Sequence, residues 1–222
     1  MKSIAFGLLF LIALGVSAQN LPSGFVYLSD IEASIQKELR YANTNNFIGQ
    51  PIDGYHKDRV ILTKETALAL KKIQQHLLKN NLSLKIFDAY RPQQAVDHFV
   101  KWAKDVTDTL RKQEYYPRVA KSDLFAKGYI ASKSGHTRGS TVDLTLVYVK
   151  TNQEIDMGSA YDFFGEASHP FSKEINKVQQ ENRMLLRTVM LQHGFQPYEN
   201  EWWHFTLTKE PFPKTYFNFA IE

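Results

Sequence analysis

Apolar positions recur along this chain in two rhythms, and together they sketch an α+β domain. Thr63 has the character of a helix N-cap, and after it Leu70, Ile73 and Leu77 repeat at helical spacing while Lys71, Lys72 and Gln75 fall elsewhere. Asn80-Asn81 ends that helix. Residues 83–87 then read as a strand leading into Asp88-Ala89-Tyr90-Arg91-Pro92. Pro92 suits the first position of a second helix, which carries Val96, Phe99 and Val100 on one side. From Thr141 the period changes to two: Val142, Leu144, Leu146 and Tyr148 take one side, Asp143, Thr145 and Val147 the other. Helical spacing returns in Ile175, Val178, Leu185, Leu186, Val189 and Met190, with Gly194 as a C-cap. His193 in that last turn suits the helix dipole. Short strand-like runs lie at 25–28 and 201–207. The Asn-rich stretch 39–49, with scattered aromatics, suggests an ordered loop; 105–131 and 156–170 read as longer loops.

An Asp early in an otherwise apolar strand stands out. A buried carboxylate is costly unless paired or bound to a metal, whereas at a half-exposed strand start it costs little. Asp143 closes the stretch Ser134-Gly135-His136-Thr137-Arg138-Gly139-Ser140-Thr141-Val142-Asp143, and Glu201-Trp202-Trp203-His204 supplies a second imidazole and a second carboxylate. His136, Asp143 and His204 make a three-ligand zinc set, which leaves a fourth position open for water. Glu201 is then available as a base for that water. The pattern therefore points to a zinc hydrolase, with an uncharacterised α+β domain as the plainer alternative. On a regular strand, residues three apart face opposite ways. For Glu201 and His204 to meet one metal, Glu201 must precede the regular strand, on a loop or bulge. Arg91 sits at a strand-to-helix junction, where a scaffold can present a charge, with Asp88 placed to orient it. Trp202 and Trp203 read as core or pocket wall.

Composition narrows the choice. The 222 residues, 43% hydrophobic, fit one domain. The net charge of +4 comes from scattered cations, so nucleic-acid binding has no support. Without cysteine there is no disulfide framework and no thiolate zinc or nucleophile, and a His/Asp donor set leans towards a catalytic site. Lys2 precedes the apolar run 4–16 and Ser17-Ala18 follows it, the layout of an export signal cut after Ala18. The run is shorter than the roughly 20 residues of a spanning helix, which disfavours an anchor. The mature domain is then 19–222, exported to the periplasm or secreted, with no stable membrane span. No pattern assigns an oligomeric state.

The two motifs, with Arg40-Tyr41-Ala42-Asn43-Thr44-Asn45-Asn46-Phe47, Asp88-Ala89-Tyr90-Arg91-Pro92, Asp156-Met157-Gly158-Ser159-Ala160-Tyr161-Asp162 and His193-Gly194-Phe195, resemble the vancomycin-resistance type of D-alanyl-D-alanine dipeptidase. That family is related to zinc D,D-carboxypeptidases and to the Hedgehog fold. The resemblance covers nearly the whole mature chain. It implies a single α+β domain, a mostly antiparallel sheet flanked by helices. It implies one zinc per chain on His136, Asp143 and His204, Glu201 as base, and Arg91 against the scissile carbonyl. Tyr41 and Asp162 would hold the ammonium of a small D,D-dipeptide, with Ser134 and Asp88 in support. Thr141 stands where the family often has Ala, a change expected to alter packing and not the ligand set. Two rival readings share the site: a D,D-carboxypeptidase or endopeptidase acting on peptidoglycan stems, and a catalytically silent zinc-binding envelope module. Export favours wall recycling or nutrient use over resistance.

Overall fold

The period-two run from Thr141 becomes the middle strand of a five-stranded sheet. In the computed structural model, which describes residues 21–222, the strands of that sheet are β2 (Gln36–Lys37), β4 (Leu82–Asp88), β5 (Thr141–Tyr148), β6 (Phe195–Tyr198) and β7 (Glu201–Leu207). Their spatial order is β2-β4-β5-β7-β6. Only β2–β4 is parallel; the other pairs are antiparallel. β1 (Phe25–Tyr27) and β3 (Ile61–Thr63) form a separate antiparallel pair. The helices are α1 (Leu28–Ile31), α2 (Lys64–Leu78), α3 (Gln93–Lys104), α4 (Lys112–Tyr115) and α5 (Lys177–Gln192). The α+β expectation with a mostly antiparallel sheet is met. The export segment 1–18 lies outside the described residues. Among those described, no helix is long and apolar enough to cross a membrane.

β5 is buried on both faces along Thr141–Val147, because helices and loops cover the sheet on either side. Its polar positions are therefore core positions, and Asp143 is a buried carboxylate at 2% exposure, not a half-exposed strand start. α2 buries Leu70, Ile73 and Leu77 as their spacing predicts, and the buried Gln74 of the same helix accepts from Leu84 N of β4 at 2.9 Å. That bond fixes the helix against the strand leading to the site.

α2 ends at Leu78 and Asn80-Asn81 closes it as expected, with Asn81 in the left-handed region at φ +59°. Three local expectations need correction. Leu28 opens α1 instead of ending β1, since strand pairing with β3 stops at Tyr27. Pro92 is the N-cap of α3 and Gln93 its first helical residue; the ψ of 149° at Pro92 is extended. Val178 and Leu185 of α5 are exposed, whereas Leu186, Val189, Met190 and the charged Arg183 are buried, and Ile175 precedes the helix. Apolar spacing alone misplaces that face. Arg183 turns inward because its guanidinium donates to the carbonyls of Met157 (2.6 Å), His169 (2.7 Å) and Ala167 (2.7 Å) in the 156–170 loop.

Candidate metal centre and active site

Asp88, Asp143 and His204 stand in one row across β4, β5 and β7, each the register partner of the next. Residues opposite one another on adjacent antiparallel strands lie about 4.5–5.5 Å apart, so the sheet itself brings these groups together. His136 arrives from outside the sheet, on a one-turn helix at Gly135–Arg138. Ser134 caps that turn, its Oγ accepting from His136 N at 3.2 Å. Gly139 closes it at φ +81°, where a Cβ would lie 2.3 Å from the Phe25 ring. Both the backbone angle and the close approach require glycine.

His136 Nε2, His204 Nδ1 and Asp143 Oδ1 form a nearly equilateral triangle: 3.3 Å between the nitrogens, and 3.2 and 3.0 Å from each to the oxygen. Tetrahedral ligands about 2.0–2.1 Å from a zinc ion are separated by about 3.3 Å. Asp143 Oδ1 is buried and accepts no hydrogen bond, an orphaned acceptor that a cation would satisfy. His136 Nδ1 donates to Ala89 O at 2.7 Å, which leaves the Nε2 lone pair facing the triangle. Burial lowers the His136 pKa and favours that neutral form, despite Asp143. Burial would raise the Asp143 carboxyl, but His136 and His204 outweigh it and hold it well below the usual range. Asp143 and Glu201 raise the His204 pKa against its burial, and the donor set and its spacing fit a zinc ion.

Glu201 lies beside the triangle, its Oε2 3.5 Å from His204 Nδ1. The parity problem is solved by an irregularity in the strand. Tyr198 of β6 pairs with Glu201 while its neighbour Pro197 pairs with Phe205, so the β7 residues between Glu201 and Phe205 bulge and both side chains reach the same side. Glu201 itself belongs to β7 and is not on a preceding loop. Burial pushes its carboxyl up to about 7, against the pull of His204. A base with that pKa is matched to neutral pH.

Arg91 is pinned on three sides. Its Nε donates to Asp88 Oδ2 at 2.9 Å, its Nη2 lies 2.8 Å from the same oxygen, and Nη2 is 3.5 Å from Asp143 Oδ2. The guanidinium stacks over the rings of Tyr41 and Phe99, 5.1 and 5.2 Å from their centroids. Burial works against its charge, but the surrounding phenols and Asp88 outweigh it and keep it protonated. Asp88 is itself fully buried and also accepts from Tyr55 Oη at 2.6 Å.

At the other end of the site, Tyr41 Oη lies 2.9 and 3.1 Å from the two oxygens of Asp162. Asp162 is buried with φ +63°, in the left-handed region that Asp adopts more readily than most residues. Burial, and then the charge of Asp143, push its carboxyl well above the usual range. A cavity of about 270 Å³ joins the two ends, lined by Tyr41, Ser134, Asp162, Glu201 and the donor triangle, with Phe47, Val96, Phe99, Ile130 and Phe164 as its apolar wall. All nine residues singled out in the sequence thus converge on one region. The sequence reading missed Tyr55 and Tyr161. Tyr161 Oη lies 3.1 Å from Asp143 Oδ2, and its place beside Asp162 in the quoted 156–162 motif was the available signal. Nothing in the sequence distinguishes Tyr55.

Comparison with known proteins shows the family. Residues 22–222 match the family model described as D-ala-D-ala dipeptidase, of the M15 peptidases. The D-alanyl-D-alanine dipeptidase of Enterococcus faecalis is 45% identical over 199 residues, covering 90% of this chain and 98% of that protein. The D-alanyl-D-alanine dipeptidase of Streptomyces coelicolor is 38% identical over 197 residues, 89% and 98% respectively. The Escherichia coli protein of the same name is 34% identical over 182 residues, 82% and 83%. A solved structure of a vancomycin-resistance D,D-pentapeptidase in complex with Zn(II) is a distant likeness, with 12% identity and TM-score 0.42 over 71% of this chain and 78% of that one. The match over the whole described length and the identity to three curated relatives make this chain a member of the D-alanyl-D-alanine dipeptidase family, a metallopeptidase.

Proposed function

We propose that this protein hydrolyses free D-alanyl-D-alanine to two D-alanines with one zinc ion held by His136, Asp143 and His204. The observation that carries this reading is the triangle of donor atoms with Glu201 on one side and Arg91 on the other. When bound, zinc acidifies a water so that hydroxide is available near neutral pH, and it polarises the carbonyl.

The protein's own groups do the rest. Glu201 takes the proton from the attacking water and later hands it to the leaving amine, a double use suited to a carboxyl at about 7. Arg91, already fixed by Asp88, donates to the carbonyl oxygen as negative charge grows there. Asp162 and Tyr41 receive the substrate ammonium. An arriving cation supplies the opposite charge that Asp162 lacks, and so favours its ionised form. Ser134 holds the His136 turn in place. The cavity is near the lower end of small-molecule pockets in volume, and its far end is a buried acid, so a free amine fits where an acylated nitrogen would leave Asp162 unpaired. This favours a dipeptidase over a carboxypeptidase or endopeptidase of longer stems, and the presence of Glu201 and Arg91 disfavours a silent zinc-binding module. We further propose, on the pattern of residues 1–18, that the domain 19–222 acts after export, in the periplasm or outside the cell, on wall-derived dipeptide.

The test is hydrolysis of D-Ala-D-Ala and of N-acetyl-D-Ala-D-Ala by the purified protein, zinc-loaded and after chelation. Zinc-dependent release of D-alanine, much faster from the free dipeptide than from the acetylated one, is the expected result. Preference for the acetylated substrate would instead identify a carboxypeptidase.

A further inference from the structure

Asp143 has two carboxylate oxygens with different surroundings. Oδ1 faces the histidines and accepts no hydrogen bond. Oδ2 lies 3.1 Å from Tyr161 Oη and 3.5 Å from Arg91 Nη2. Arg91 is engaged more closely with Asp88, so Tyr161 is the nearer partner of Oδ2. The same Tyr161 oxygen lies 3.1 Å from Tyr41 Oη, which in turn donates to Asp162. A phenol has one proton to give, and a carboxylate is the stronger acceptor, so that proton belongs to Asp143. The Tyr161 oxygen is then left against the Tyr41 hydroxyl.

The ring cannot swing away. It is buried at 2% exposure and stacked on Phe87 at 4.6 Å and 14°. Trp203 meets it edge-on at 5.4 Å, and the Arg40 guanidinium lies 5.7 Å from its centroid. A hydroxyl held this firmly fixes whatever it bonds.

Building on the zinc dipeptidase reading, we propose that Tyr161 is a positioning residue: by occupying Asp143 Oδ2 it commits Oδ1 to the metal, and its oxygen packs against the Tyr41 hydroxyl that donates to Asp162. Without the hydroxyl, Asp143 Oδ2 keeps only the longer Arg91 contact and either oxygen can turn to the cation. Tyr41 loses its neighbour at the same time.

Tyr161→Phe keeps the stacked ring and removes the oxygen. Partners of this kind contribute roughly 10- to 100-fold in metal affinity. Zinc affinity, measured by competition with a chromophoric chelator, is expected to fall about tenfold. At saturating zinc, KM for D-Ala-D-Ala rises several-fold while kcat stays within about twofold, the pattern of lost substrate positioning. Tyr116→Phe is the control, since that hydroxyl contacts Asp108 O at 3.4 Å away from the site. Zinc affinity within about twofold of the unaltered protein, or an equal fall in Tyr116→Phe, overturns the proposal. If the unaltered protein binds no zinc or leaves D-Ala-D-Ala intact, it is the dipeptidase reading that fails.

Discussion

The two ends of the active site are built differently. The metal end stands largely on the sheet: Asp88, Asp143 and His204 are register partners on three neighbouring strands, and backbone hydrogen bonds set their spacing. The amine end stands on irregular backbone. Tyr41 sits on a one-turn helix at Arg40–Ala42, and Asp162 on the 156–170 loop with a left-handed φ. That loop is held from outside, by the buried guanidinium of Arg183 and by Trp202 Nε1 donating to Ser159 Oγ at 2.9 Å. Strands give the reacting groups a fixed geometry, whereas loops can change what is bound without disturbing it. Changes at the metal end are therefore expected to act on turnover, and changes at the amine end on substrate choice.

Glu201→Ala tests the first half of that division most severely. The expected loss in kcat is about 10²–10⁴-fold with zinc retained, measured by turnover alongside metal content. Turnover near that of the unaltered protein would remove Glu201 from the base role. Arg91→Ala comes next, at about 10²–10³-fold in kcat with a smaller change in KM, because its gain lies in the transition state. A change confined to KM would move Arg91 to the binding side of the comparison.

Asp162→Asn tests the second half. Loss of a charged partner for the ammonium should lower kcat/KM for free D-Ala-D-Ala about 10- to 100-fold and leave N-acetyl-D-Ala-D-Ala nearly unaffected. Equal losses on both substrates would mean that Asp162 does not read the amine. The smallest effect is on stability. The Asp162 pKa is raised in the fold, so the folded chain holds this proton more tightly than the unfolded one. Its contribution is thus fully favourable below the usual carboxylate value of about 3.9 and is lost as pH rises through the raised folded value. Asp162→Asn should accordingly raise the Tm of the metal-free protein more at pH 8 than at pH 5, by thermal unfolding at both. An increase that is larger at pH 5 contradicts the assignment.

The same division governs what could be read from the residues alone. The metal end was legible because strands have a simple period: an Asp in the alternating run from Thr141 and a Glu-x-x-His near the C-terminus draw attention through the rule that buried charge needs a partner. Even the bulge in β7 was foreshadowed, since parity forbids Glu201 and His204 from sharing a regular face. Its position was not, because register shifts are set by pairing with β6. Tyr41 and Asp162 needed the resemblance, as loop residues carry no period. Tyr161 and Tyr55 escaped because a phenol looks like core until its hydroxyl is seen to have a partner. The buried face of α5 was misassigned for a related reason. Arg183 faces inward to carbonyls from a loop far away in sequence, and no apolar count within the helix registers that.

The account stands or falls on whether one zinc ion sits among His136 Nε2, Asp143 Oδ1 and His204 Nδ1. A crystal of the zinc-loaded protein, with anomalous data collected on both sides of the zinc edge, addresses this directly. The predicted result is a single zinc peak per chain within about 2.0–2.2 Å of those three atoms. A peak elsewhere, or one lacking any of the three as a ligand, would contradict it.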